Sequence, residues 1–301
     1  MTVGKIDKGF QAILRPRRTL MPPFPVRLGV GPALGLCLTC ATISARAQAQ
    51  APLTPPSPAP AGRMAFTEPA PLDFNDHAGY ATLFDGVSLK GWDGNPKFWR
   101  VESGALVGES TPANPSGNNY IVYRDLVARD FTLKFEIKVE GDGGSGIQYR
   151  SQTGLPWLAN IPPAVTANVG PVNLDWMMTG PQADFWPSRV YTGQFYSENT
   201  PMRILAWRGQ VVEGFGARSK TLMATIADRT ALGNLVRLND WNQYIVIARG
   251  GTFIHIVNGQ VMAVMIDDDP ASSNNQPGMF GIEIEATTKV SVKNMWVKVI
   301  R

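Results

Sequence analysis

The chain has 301 residues, 44% of them hydrophobic and 17% charged, which is length and apolar content enough for a folded core. Its formal charge of +4 is misleading, because residues 1–47 hold seven Lys/Arg and one acid, leaving 21 and 23 in the rest, a formal −2. That balance excludes a nucleic-acid footprint, and both cysteines, Cys37 and Cys40, also lie in residues 1–47, which removes disulfides, Cys-zinc sites and Cys nucleophiles from the remainder.

The first segment has the order of an export signal. Basic residues from Lys5 to Arg27 precede an apolar run from Leu28 to Ile43, and small-residue cleavage patterns follow at Ala45-Arg46-Ala47 and Ala47-Gln48-Ala49. Residues 1–47 are therefore expected to be a signal peptide, with Met21 an alternative start and Arg17-Arg18 leaving twin-arginine export open. The apolar run is shorter than the ~20 residues that cross a bilayer, so a periplasmic or secreted protein without a membrane span is expected. Residues 48–63 carry five prolines between Pro52 and Pro60 and read as a linker. Residues 64–301 are then one domain.

Short apolar strands are predicted at Tyr80–Phe84, Trp99–Val107 and Tyr120–Tyr123, with turns at Asp85-Gly86 and Ser103-Gly104. Asp130–Arg150 reads as two strands joined by a glycine-rich turn. Phe131, Leu133, Phe135 and Ile137 alternate with polar residues in the first, Ile147 and Tyr149 with Gln148 and Arg150 in the second. As a hairpin this puts Glu136, Gln148 and Arg150 on one polar face. Residues 152–179 are apolar but broken by prolines, and fit either a lid or a packing insertion. Further strands are expected at Gln182–Phe185, Gly193–Tyr196, Ile204–Trp207, Trp241–Ala248, Phe253–Val257, Gln260–Ile266, Gly278–Glu285 and Val290–Val299, with a hairpin turn at Asn258-Gly259. One helix is expected near Ala227–Leu238. Many strands and little helix predict an all-β sandwich or jelly roll.

Several segments, in order, resemble one family. They are Leu83-Phe84-Asp85-Gly86 through Gly91-Trp92, Trp99-Arg100-Val101-Glu102-Ser103-Gly104-Ala105-Leu106-Val107-Gly108, Asp130-Phe131-Thr132-Leu133 with Ser145-Gly146-Ile147-Gln148-Tyr149-Arg150, and Tyr191-Thr192-Gly193-Gln194-Phe195-Tyr196. Trp241-Asn242 and Val257-Asn258-Gly259 follow the same pattern. The family is the 3-keto-disaccharide hydrolase domain, and the resemblance covers Gly79 to Val299. It implies a concanavalin A-like jelly-roll β-sandwich that cleaves glycosides already oxidised at C3 by a partner oxidoreductase. One departure stands out. Where the family often has a Leu-Gln-Leu-His-like strand, this chain has Ile282-Glu283-Ile284-Glu285, so Glu285 stands at the histidine position.

A 3-keto group acidifies the C2 proton. Its removal allows the C1 substituent to leave by β-elimination, and hydration completes the cleavage. The route needs a base, an acid and a positive group at the keto oxygen. Asp184 and Glu136 are the candidate base and acid, and Arg150 the candidate cation. Gln148, Gln182, Glu283 and Glu285 are candidate substrate ligands, and Trp186, Tyr191 and Tyr196 candidate sugar-stacking groups. The acids leave open a divalent cation held through oxygen, and no other cofactor is expected. Two other readings remain: a solvated polar sheet face with Glu136 in a cross-strand pair, and a non-catalytic carbohydrate-binding or adhesion module. His255 is expected to be a hydrogen-bonded core residue or to line the site, and His77 to be structural.

Overall fold

The computed structural model describes residues 72–300. The signal peptide and linker expected at 1–47 and 48–63 lie outside the described residues. No helix among the described residues is long and apolar enough to cross a membrane.

In chain order the strands are β1 (Ala81–Thr82), β2 (Trp92–Gly94), β3 (Trp99–Glu102), β4 (Ala105–Ser110), β5 (Asn119–Ala128), β6 (Phe131–Gly141) and β7 (Gly144–Ser151). Then come helix α1 (Pro163–Val169), β8 (Gly180–Phe185), β9 (Phe195–Glu198), β10 (Arg203–Ala206), β11 (Gln210–Gly214), β12 (Lys220–Thr225) and α2 (Arg229–Gly233). The chain ends with β13 (Asn242–Arg249), β14 (Thr252–Val257), β15 (Gln260–Asp267), β16 (Gly278–Glu285) and β17 (Thr288–Val299). Two sheets form a sandwich. A ten-stranded sheet runs β12-β11-β15-β14-β13-β6-β17-β4-β3, with β1 beside β17, and a seven-stranded sheet runs β10-β9-β8-β7-β16-β5-β2. The chain passes from one sheet to the other at β5–β6–β7 and at β15–β16–β17, the wrapping of a jelly roll.

Asp130–Arg150 is not a hairpin. β6 pairs with β13 and β17, whereas β7 pairs with β8 and β16 in the opposite sheet. The apolar faces of the two strands meet across the core. Leu133, Phe135 and Ile137 come from one side and Ile147 and Tyr149 from the other, all fully buried. The polar faces therefore point to opposite sides of the molecule. Alternation is the same for a hairpin and for an arch between sheets, so the sequence pattern alone leaves the two unresolved. Glycine makes the arch tight: a Cβ at Gly143 would run into the carbonyls of Glu285 and Thr287.

The Asn258-Gly259 turn is as expected, with φ of 49° and 82° at the two central residues joining β14 to β15. The helix is shorter than predicted, Arg229–Gly233, and a second short helix lies within residues 152–179. β11 and β12 were not expected. β12 is exposed along its whole length and shows no buried face.

Candidate active site

The outer face of the seven-stranded sheet holds a cleft of about 380 Å³. Register places its chemistry. Gly146 on β7 lies opposite Asp184 of β8 on one side and Glu283 of β16 on the other. One step along, Gln148 lies between Gln182 and Gly281, and Tyr196 of β9 lies beside Gln182. The absence of side chains at Gly144 and Gly146 makes a trough. A Cβ at Gly144 would strike the Trp186 ring, and one at Gly146 would strike the Gln182 amide. Gln182 crosses that trough and donates from Nε2 to Glu283 Oε2, two strands away. Gly146→Ala is thus expected to break this bond and cost about 1–3 kcal/mol, measured by thermal unfolding. An unchanged melting temperature would mean that Gln182 does not need the trough.

Four carboxylates line the cleft: Asp184, Glu198, Glu283 and Glu285. Glu283 is anchored. Its Oε1 accepts from Asn118 Nδ2 at 2.7 Å and from the Tyr120 hydroxyl at 2.8 Å, and its Oε2 accepts from Gln182. Burial raises its pKa and these three donors pull it back, so Glu283 is the carboxylate best equipped to stay ionised. Asp184 accepts from Gln194 Nε2 at 2.5 Å, and Glu198 accepts from the Asn199 amide at 3.1 Å. Burial pushes both well above the ordinary carboxylate range, and neighbouring acids push them further. Glu285 is half-buried, with its pKa raised to about 8, by burial first and by Glu283 second. Arg203, exposed and at φ 52°, is the one guanidinium on the lining among the described residues. Trp157 stands at one end, edge-on to Tyr120 with ring centroids 6.1 Å apart. At the other end are Trp186 and Tyr191, 5.7 Å apart.

These shifts fix how stability responds to pH. Folded Glu285 keeps its proton up to about pH 8, whereas an unfolded glutamate loses it near ~4.3. Between those values the folded chain binds more protons, so stability falls as pH rises. Asp184 and Glu198 act in the same direction. Buried His255, with its pKa lowered to about 4, acts oppositely but only below about pH 6.5. The melting temperature should therefore drop between about pH 6.5 and 8, and Glu198→Gln should flatten that slope. A rising melting temperature over that range would contradict the assignment.

The structure brings Gln182, Asp184, Trp186, Tyr191, Tyr196, Glu283 and Glu285 to one cleft, as expected. Three expected residues are elsewhere. Glu136 lies on the outer face of the ten-stranded sheet, accepting from Asn294 and 3.9 Å from Lys293 Nζ. Gln148 is on the correct face but fully buried, and its Oε1 accepts from Ser151 at 2.8 Å. Arg150 is turned inward by a β-bulge. Gln148–Ser151 spans one residue more than Gly281–Met279 opposite it, and Arg150 takes φ 50°. Its guanidinium, 1% exposed as a residue, donates to the carbonyls of Arg129, Gly250 and Asn274, and reaches Asp130 at 3.0 Å. Arg150 is a buried structural cation, and Arg203 is the cation at the cleft.

Glu198, Gln194, Asn118, Tyr120, Trp157 and Arg203 were not singled out from sequence. Glu198 had a readable signal, since it lies two residues beyond Tyr196 on the same strand. His255 is a core residue. Its Nδ1 meets the Gln194 carbonyl at 3.0 Å and its Nε2 the Tyr149 hydroxyl at 2.8 Å. Residues 152–179 serve as wall and packing together: Met177 and Met178 cluster with Tyr120 and Val122, and Trp157 faces the cleft. Among the described residues, no three His, Cys, Asp or Glu side chains are grouped to hold a metal ion.

The model of the 3-keto-alpha-glucoside-1,2-lyase-like domain matches residues 79–298. The chain belongs to this family. No curated protein matches the sequence. Among solved structures, a Parabacteroides distasonis protein classed provisionally as a glycosyl hydrolase is 19% identical over 74% of this chain and 95% of its own, with a TM-score of 0.44. A carbohydrate-binding module from Bacillus subtilis is 15% identical over 73% of this chain and 95% of its own, at 0.38. A Bacillus subtilis protein of unknown function with a galectin-like fold is 12% identical over 71% and 92%, at 0.45.

Proposed function

We propose that this family member cleaves 3-keto-glycosides by elimination and hydration in the cleft of the seven-stranded sheet. The observation that carries this reading is the convergence, in one cleft, of carboxyls of unequal depth with one guanidinium. Glu285, half-buried and titrating near 8, takes the proton from C2. The electron pair moves onto the C3 carbonyl as an enolate, whose charge Arg203 offsets. The C1–O1 bond then breaks, and Asp184, kept protonated by burial, gives its proton to the departing oxygen. Water adds to the C1=C2 bond, returning a proton to C2 and placing a hydroxyl on C1. Glu283 stays ionised and holds Gln182, Asn118 and Tyr120 around a substrate hydroxyl. Trp157 and Trp186 supply apolar faces for the two sugar units.

The substrate has to be made by an enzyme that oxidises a sugar at C3. The basic and apolar run in residues 1–47 supports action after export, in the periplasm or outside the cell. The test is turnover of a 3-keto-glucoside against the same glucoside unoxidised. Release of aglycone from the keto form alone is the expected result. Equal cleavage of both would make this an ordinary glycosidase, and sugar binding with no cleavage a binding module.

A further inference from the structure

The lining of the cleft is rich in acceptors and poor in cations. Asp184 comes from β8, Glu198 from β9, and Glu283 and Glu285 from β16. Against them stand Arg203 of β10, which is exposed, and the neutral hydroxyls of Tyr196 and Tyr120. None of the four acids makes an ion pair within 4.0 Å among the described residues. A second, independent observation points the same way. Gln194 lines the cleft and is only 2% exposed; its Nε2 is committed to Asp184, and its Oε1 has no partner among the described residues. A buried amide oxygen left unmatched costs about 1–3 kcal/mol and calls for a donor.

A neutral sugar brings hydroxyl donors but no charge to set against the ionised Glu283. An ammonium brings three donors on one atom together with the missing positive charge. We propose that the glycoside taken by this cleft carries an ammonium group, as an amino sugar or an amine-bearing aglycone does. The inference deepens the function proposed above and rests on the cleft being the carbohydrate site. Anionic glycosides, such as uronides and sugar phosphates, are correspondingly disfavoured by the Glu283 charge.

The experiment is calorimetric titration of the purified protein with D-glucosamine, N-acetyl-D-glucosamine and D-glucose. At about pH 7 glucosamine should bind about tenfold or more tightly than either neutral sugar, the effect of one partly screened charge pair. The preference should shrink on acidification, as Glu283, the carboxylate left ionised at neutral pH, takes up a proton. Glu283→Gln, which removes the ionised carboxylate, should abolish it. Equal affinity for all three sugars overturns the proposal. So does stabilisation by calcium chloride with none by glucosamine, which would make the acids a metal site. The readout is binding of unoxidised sugars, so its failure is distinct from failure of keto-glycoside turnover. Loss of the preference with turnover intact removes this inference alone, and the converse removes only the reaction.

Discussion

Replacing Arg150 with methionine is expected to destabilise the sandwich by about 3–5 kcal/mol. The side chain is closed off from solvent, with its guanidinium bound to three backbone carbonyls and to Asp130. Methionine matches the stem but leaves those carbonyls and the carboxylate without their donor. The arginine also lies 4.7 Å from the Phe253 ring centroid, a contact that methionine replaces only in part. A loss of that size is a large share of the 5–15 kcal/mol that holds a domain together. Thermal and urea unfolding measure it. Glu136→Gln is the control: its partners are exposed or distant, and it should shift stability by less than about 1 kcal/mol and leave turnover unchanged. If Arg150→Met folded normally and lost turnover alone, Arg150 would belong to the chemistry after all.

Asp184→Asn and Glu285→Gln should each reduce turnover of a 3-keto-disaccharide by about 10²–10⁴-fold, the usual contribution of a positioned acid or base. Their substrate dependence separates the two roles. A nitrophenol leaves without help from an acid, so Asp184→Asn should recover most of its rate on a nitrophenyl 3-keto-glucoside. Glu285→Gln should not recover, because loss of the C2 proton is needed whatever leaves. In the unaltered protein kcat/KM should climb with pH toward about 8, as Glu285 ionises. Recovery by the Glu285 variant and not by the Asp184 variant would reverse the assignment. Equal activity of both with the unaltered protein would put the chemistry elsewhere.

The sandwich was legible because its strands alternate cleanly. Phe131 to Ile137, Ile147 to Tyr149 and Ile282 to Ile284 each alternate apolar with polar residues and turn the apolar set to the core, and that periodicity is local. Half of the cleft was legible for the same reason, since Gln182 with Asp184, and Glu283 with Glu285, share a face by strand geometry. Which sheet a strand joins is not local. Glu136 and Gln148 look like neighbours across a turn, yet β6 and β7 enter different sheets. Nor is a bulge local: Arg150 continues the alternation of β7 in sequence, and one extra residue opposite Phe280 turns it into the core. Arg203 and Trp157 reach the cleft from β10 and from the proline-broken segment, whose placement depends on tertiary packing.

The most direct test of the account is the fate of the hydrogen at C2. The protein would be given a 3-keto-glucoside in D₂O, and the sugar product read by proton NMR and mass against a control without protein. Elimination and hydration predict a product carrying deuterium at C2, formed as the aglycone is released. A product that keeps its original C2 hydrogen would mean direct displacement at C1, and would contradict the proposed chemistry of the cleft.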